Sequence, residues 1–104
     1  MDILEKKEYY STLYDFYESL LTEKQKYYFE AYYFEDMSLK EIAICYKVSR
    51  NAIFDQLKKV YNALDSYEEK LKLYDKYLKR EKIYSSLEKN DELKELVKEL
   101  REIE

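Results

Sequence analysis

Residues 38–64 read SLKEIAICYKVSRNAIFDQLKKVYNAL, and they give the strongest structural signal in the chain. Ser38 and Glu41 have the spacing of a capping box that begins a helix, and Ser49 is a residue type that caps a second one. Apolar residues recur at helical spacing on both sides of a short interruption at Lys47. The stretch therefore predicts two helices joined by a tight turn, which is a helix-turn-helix.

The apolar positions of this stretch indicate how the two helices pack. A helix-turn-helix needs a small residue where its helices cross, and Ala43 suits that position. Left-handed turn positions usually hold glycine, so Lys47 must adopt a positive φ or reshape the turn, at a cost of about 1 kcal/mol. We expect five apolar side chains to be inside the motif, with the third plugging the turn: Ile42, Tyr46, Val48, Ile53 and Leu57.

The outward face of the second helix predicts a contact with DNA or RNA. Arg50 and Asn51 are residue types that pair bidentately with guanine and adenine in the major groove. Lysines around the motif are suited to phosphates, and the cap at Ser49 presents a helix amino end to a phosphate. The candidate nucleic-acid-binding residues are Lys40, Lys47, Ser49, Arg50, Asn51, Phe54, Asp55, Lys58 and Lys59.

Two of the outward residues leave other interpretations open. Asp55 repels a phosphate, although it can accept a hydrogen bond from cytosine. Phe54 suits a thymine methyl group, an unpaired base on which it would stack, or a partner helix, and the last is slightly favoured. The alternative function is therefore a protein-interaction module that has kept the fold without binding DNA.

The charge of the chain is unevenly distributed. The net charge is −4, but residues 38–64 carry 5 basic and 2 acidic side chains. Residues 1–37 carry 4 basic and 9 acidic side chains, and residues 65–104 carry 10 basic and 12 acidic side chains. The only net-positive segment thus coincides with the predicted motif, whereas the acidic remainder opposes non-specific binding to phosphates.

Helix starts elsewhere in the chain can also be predicted from capping chemistry. A Ser or Thr followed three residues later by Glu or Gln forms a capping box, and Asn90 is a further break. The boxes lie at Thr22–Gln25, Ser38–Glu41 and Ser66–Glu69. The predicted helices span roughly residues 3–20, 23–35, 39–46, 50–64, 67–89 and 92–102.

The absence of both glycine and proline favours an all-α fold, because tight β-hairpins usually need glycine. We expect one helical domain over residues 1–104, with a helix-turn-helix core at 22–64 and a C-terminal helical pair at 65–104. The apolar stripe between Leu93 and Ile103 is narrow. It would fold back on the preceding helix or contribute to a homodimer, which is the favoured interpretation.

The composition argues against an enzyme. No histidine is present, so the commonest general base and the commonest transition-metal ligand are both missing. Cys45 is the only cysteine and is expected to be a buried or half-buried small side chain rather than a reactive thiol. We expect no catalytic residues, cofactor or metal.

The same sequence predicts a location in the cytoplasm. Its amino end has no basic and apolar signal segment, and no uncharged run reaches the length of a membrane span. A second basic stretch at residues 76–82, interleaved with tyrosine, is either another nucleic-acid contact or an ordinary solvated helix face, and the latter is favoured.

Residues 21–25 (LTEKQ), 33–43 (YFEDMSLKEIA) and 48–50 (VSR) together resemble region 4 of sigma factors. Further segments extend this resemblance: residues 13–17 (LYDFY) come before these motifs, and residues 54–58 (FDQLK) and 67–71 (YEEKL) follow them. The order of all these segments along the chain is similar to that in the YlxM family over nearly the whole chain. This resemblance implies a helix-turn-helix protein encoded beside signal recognition particle genes. It implies a role in that pathway, or in its regulation, with signal recognition particle components as partners and no enzymatic activity.

Overall fold

The computed structural model describes residues 1–104 and confirms the all-α fold, with no β-strand. The chain divides into two compact units, residues 1–72 and residues 73–104. Short 3-10 helices lie at Glu18–Leu20 and Asp91–Leu93. The α-helices are α1 (Ile3–Tyr17), α2 (Glu23–Tyr33), α3 (Leu39–Tyr46), α4 (Arg50–Leu71), α5 (Leu73–Leu87) and α6 (Lys94–Ile103).

Two of the predicted capping boxes fix the starts of α2 and α3. The Gln25 amide donates to Thr22 Oγ1 at 3.1 Å, and the Thr22 amide donates to Gln25 Oε1 at 2.9 Å. Ser38 and Glu41 exchange the equivalent bonds, both at 3.1 Å. The backbone hydrogen bond from Ser38 also lowers the pKa of the Glu41 carboxyl, because it stabilises the charged form.

The third predicted box, at Ser66, is wrong. α4 continues through this position and ends only at Leu71, followed by Lys72 in a left-handed conformation with φ 55°. Long-range packing explains the difference: Leu64 is fully buried, and Glu68 accepts a hydrogen bond from the Tyr17 hydroxyl at 2.6 Å. These contacts with the body of the unit stabilise helix where local capping chemistry would begin a new one.

Stacked aromatic rings fill the core of the first unit. The Phe29 ring lies parallel to the Tyr14 ring at 4.4 Å and to the Tyr33 ring at 4.1 Å between centroids. All three residues are buried. The stack joins α1 to α2 and buries three large rings in the core of this small unit.

The buried tyrosines keep their hydroxyl groups hydrogen-bonded at the edge of the core. Tyr10 donates to Asp65 Oδ2 at 2.9 Å, and the Tyr33 and Tyr61 hydroxyls lie 3.0 Å apart. Each bond reaches α4 from another helix. Because a buried hydroxyl without a partner is costly, these bonds allow large rings to be buried and also fix how α1 and α2 pack on α4.

The second unit is a helical pair held mainly by charged groups. Arg101 of α6 bonds Glu81 of α5 at 2.8 Å and also pairs with Glu88. The Tyr84 hydroxyl donates to Glu104 Oε1 at 2.7 Å, and Val97 is buried. α6 therefore folds back on α5, as one of the two sequence interpretations expected, while three apolar residues of its stripe stay exposed: Leu96, Leu100 and Ile103.

We predict that the protein unfolds in alkali together with ionisation of its core tyrosines. Burial raises the pKa of Tyr10, Tyr14 and Tyr33 above the ordinary 10.0, and hydrogen bonds add to the effect. The stabilisation is complete below pH 10, and each such tyrosine removes about 1.4 kcal/mol per pH unit above it, because the unfolded chain loses the proton first. Tyrosinate absorbance and helical circular dichroism, recorded together, should show a late ionisation step coinciding with helix loss. Ionisation of all tyrosines near pH 10 with unchanged helicity would contradict the prediction.

Candidate nucleic-acid interface

The turn between α3 and α4 is built on a left-handed lysine. Lys47 has φ 57° and ψ 44°, which confirms one of the two conformations expected from the sequence. Its amide donates to Ile44 O at 3.3 Å, and the Val48 amide donates to Ala43 O at 3.0 Å. This pair of bonds is the Schellman motif, with lysine in the place that glycine usually takes.

Ser49 begins α4 immediately after this turn. It is extended, with φ −76° and ψ 156°, and its hydroxyl accepts from the Ala52 amide at 3.0 Å. The Ile53 amide bonds the Ser49 carbonyl. The amides of Arg50 and Asn51, which have no acceptor within the helix, are thus left at the exposed amino end of α4.

The two helices pack as the motif requires. Ile42 and Ile53 are completely buried, and Ala43 and Leu57 are nearly so. They form one cluster with small and aromatic residues of α2, including Ala31. The predicted roles of these four residues in the helix-turn-helix are confirmed.

Three side chains of the motif are not where the sequence predicted them. Tyr46 and Val48 are 39% and 38% exposed rather than buried, and Cys45 is exposed as well. Because α3 has only eight residues, the side of the helix that faces the core buries Ile42 and Ala43. The residues that follow them at the end of α3 remain at the surface. Tyr46 instead packs edge-on against the Tyr28 ring at 5.0 Å, at the border of the core.

All nine candidate contact residues lie on the surface of the first unit. The five basic residues among these nine form no ion pair with a carboxylate, so their charge remains available to a ligand. The nine exposed candidates are Lys40, Lys47, Ser49, Arg50, Asn51, Phe54, Asp55, Lys58 and Lys59. The turn and the amino end of α4 therefore present a polar surface with excess positive charge.

Phe54 and Lys58 are neighbours one turn apart on the outer face of α4. The Phe54 ring is 52% exposed, and Lys58 Nζ lies 5.9 Å from its centroid. An ammonium group over an aromatic face is attracted by the ring quadrupole. The outer face of α4 therefore presents an apolar ring, from Phe54, next to a cation, from Lys58, and both lie beside Asp55.

Packing of α1 against α4 adds residues that the sequence analysis missed. Lys6 Nζ lies 5.2 Å from the Tyr61 ring centroid of α4, and Lys6 lines a hollow together with Phe54 and Lys58. The feature of the sequence that could have indicated these residues is the adjacent pair Lys6 and Lys7 in an otherwise acidic segment. Only the tertiary packing shows that this pair borders the face of α4.

Three further features concern metal ligands, the second basic stretch and membrane spans. No group of three or more Cys, Asp or Glu residues is arranged to hold a metal ion. In the second basic stretch, Lys79 pairs with Asp75 at 3.0 Å and Arg80 pairs with Glu104, which reduces its positive charge. None of the helices combines the length and the apolar character needed to cross a bilayer.

Comparison with known proteins gives one consistent relationship. The sequence model of the family described as "Putative helix-turn-helix protein, YlxM / p13 like" matches residues 4–103. A UPF0122 protein of Staphylococcus epidermidis is 43% identical over 88% of this chain and 87% of its own length. A UPF0122 protein of Geobacillus is 41% identical over 98% of this chain and 100% of its own length. A UPF0122 protein of Listeria welshimeri is 49% identical over 83% of this chain and 78% of its own length.

We predict that Lys47→Gly stabilises the first unit. Glycine avoids the steric cost of the left-handed conformation, and part of this gain is offset by greater freedom of the unfolded chain, leaving about 0.5–1 kcal/mol. Chemical denaturation followed by circular dichroism measures the change. The same substitution at Lys59, inside α4, is the control and should destabilise by about 0.5–1 kcal/mol. Destabilisation at both positions would show that the turn at Lys47 differs from the one described.

Proposed function

We propose that this chain, which belongs to the YlxM-like family of helix-turn-helix proteins, binds nucleic acid in the cytoplasm through the amino end of α4. The observation that carries the proposal is the coincidence of the only net-positive segment with an exposed helix-turn-helix. Elsewhere the chain is acidic, so attraction for phosphates is concentrated on this surface.

Each part of the surface has a separate role in this proposal. Arg50 and Asn51 contact base edges, since they extend from the first turn of α4, which is the part of a recognition helix that enters the major groove. The surrounding lysines contact phosphates and set the register of the protein on its ligand. The lysines are Lys40, Lys47, Lys58 and Lys59.

We further propose a regulatory role within the signal recognition particle pathway. The support is the resemblance of residues 21–50 to region 4 of sigma factors and of the whole chain to YlxM. Contact with DNA would make the protein a transcription regulator, whereas contact with an RNA of the pathway would make it a regulator of assembly or targeting.

A second candidate function is a protein-interaction module that binds a signal recognition particle component. The observation that favours it is the apolar character of the outer side of α3, where Ile44 is 69% exposed beside Cys45 and Val48. With Phe54, these residues offer apolar area to a partner protein. Such a complex would depend little on salt, in contrast to one built on phosphates.

We also propose that α6 contributes to a homodimer. Its exposed residues Leu96, Leu100 and Ile103 follow the spacing of three and four residues that is typical of helix-pairing surfaces.

We predict that Leu100→Glu converts a dimer to a monomer in sedimentation equilibrium while retaining helical circular dichroism. Ile44→Glu, which also replaces an exposed apolar side chain but lies on α3, is the control and should remain dimeric. A wild-type monomer at all concentrations would exclude this interface.

We predict that Arg50→Glu combined with Lys58→Glu abolishes most nucleic-acid binding. Loss of a bidentate base contact alone corresponds to roughly tenfold weaker binding, and the reversed charges repel phosphates. Fluorescence anisotropy with pools of duplex DNA and hairpin RNA measures the affinity. The slope of log affinity against log salt should also become shallower, by about 0.9 for each duplex phosphate that the variant no longer neutralises.

The matched control for this experiment is Lys89→Glu combined with Lys98→Glu. Both lysines are exposed and belong to the second unit rather than to the helix-turn-helix, so the change of charge is the same but affects no candidate contact residue. Wild-type affinity is expected for this control. If the Arg50/Lys58 variant bound every oligonucleotide as the wild type does, binding through α4 would be excluded.

A further inference from the structure

A groove lined by lysines and aromatic rings lies beside the outer face of α4. It consists of two hollows of about 270 and 280 Å³, which share Lys6, Tyr32 and Tyr61 in their walls. The first hollow also contacts Phe54 and Lys58 of α4, and the second extends along α1. We refer to both hollows together as the lysine–aromatic groove.

The charge of the lysine–aromatic groove is one-sided. Lys6, Lys7 and Lys58 line it, whereas none of the 23 carboxylate side chains of this acidic chain does so. One of these lysines, Lys7, forms a 3.9 Å ion pair with Asp36, a carboxylate that is almost fully exposed. An anionic ligand is therefore favoured, because the lysines gain little from carboxylates of the chain itself.

The walls of the groove are suited to a flat aromatic ring. Tyr32, Tyr61 and Phe54 present ring surfaces, and lysine ammonium groups lie 5.2–5.9 Å from their centroids. Each hollow is near the lower end of the ~300–1,000 Å³ typical of ligand pockets, which suits one ring system better than a large ligand. A planar ring attached to an anionic group matches both properties, and a nucleotide has this chemistry.

The position of the groove relates it to the helix-turn-helix. Phe54 and Lys58 belong both to the outer face of α4 and to the wall of the groove. A nucleotide in the groove would thus be adjacent to a duplex contacted by the amino end of α4. A base can reach the groove only if it is unpaired, because paired bases are stacked inside the duplex.

We propose that the lysine–aromatic groove receives an unpaired nucleobase of the nucleic acid that α4 contacts. This inference rests on the proposed nucleic-acid binding and adds the class of ligand: a duplex interrupted by an unpaired nucleotide. Phe54 and Tyr32 stack on the base, while Lys6 and Lys58 contact the phosphates on either side. An aromatic side chain of a protein partner fits the groove less well, because it would bring no negative charge to the three lysines.

Binding to matched duplexes with and without one unpaired base tests the proposal. The unpaired base is 2-aminopurine, whose fluorescence is quenched by stacking, and DNA and RNA versions distinguish the two sources of the ligand. We expect the wild-type protein to bind the interrupted duplex at least about tenfold more tightly than the paired one, with quenching. Lys6→Gln and Phe54→Leu should each lose most of this preference.

Two substitutions on α2 provide matched controls. Lys24→Gln removes a lysine whose ammonium group lies 5.9 Å from a tyrosine ring centroid, compared with 5.2 Å for Lys6, but outside the groove. Tyr27→Leu removes an aromatic ring that is 54% exposed, close to the 52% of Phe54. Both variants should keep the preference for the unpaired base. Lys6→Gln should weaken binding of the interrupted duplex by more than binding of the paired duplex, because only the interrupted duplex places a nucleotide in the groove.

The possible failures are distinguishable. Equal wild-type affinity for the two duplexes would overturn the groove proposal and leave binding through α4 intact. A preference that survives both Lys6→Gln and Phe54→Leu would place the unpaired base elsewhere. Failure to bind any duplex would overturn both proposals.

Discussion

The left-handed turn at Lys47 determines the geometry of the whole interface. Two backbone hydrogen bonds, from Lys47 to Ile44 and from Val48 to Ala43, end α3 and turn the chain within two residues. Ser49 can then cap α4. Had α3 continued, the amino end of α4 would not exist as an exposed structure, and Arg50 would lie in the middle of a helix. The interface is thus a consequence of where one helix is made to stop.

Tyrosine gives the first unit both its core and the alignment of its helices. Rings of Tyr14 and Tyr33 enclose Phe29, while hydroxyl groups at the edge reach polar atoms of α4 and α2. This arrangement keeps α1 close to α4 and so brings Lys6 to the border of the contact surface. The acidic partners of the hydroxyls also account for part of the negative charge outside the helix-turn-helix.

Local chemistry made much of the fold predictable, and long-range packing explains the rest. Capping boxes at Thr22 and Ser38 involve residues three apart, so the sequence alone identifies them. The box at Ser66 has the same pattern but is overridden by contacts of α4 with α1, more than forty residues away. Burial of Tyr46 was mispredicted because it depends on how far α3 inserts into the core. The exposed face of α4 was predictable, whereas the groove beside it depends on the approach of α1.

Nuclear magnetic resonance of the ¹⁵N-labelled full chain, titrated with an oligonucleotide that it binds, is the sharpest test of binding through the amino end of α4. We expect the largest amide shifts at residues 49–52, where that end of the helix is exposed, with smaller shifts along Phe54 and Lys58. Binding with the largest shifts confined to α5 and α6, and with the amides of Arg50 and Asn51 unchanged, would contradict this mode of binding.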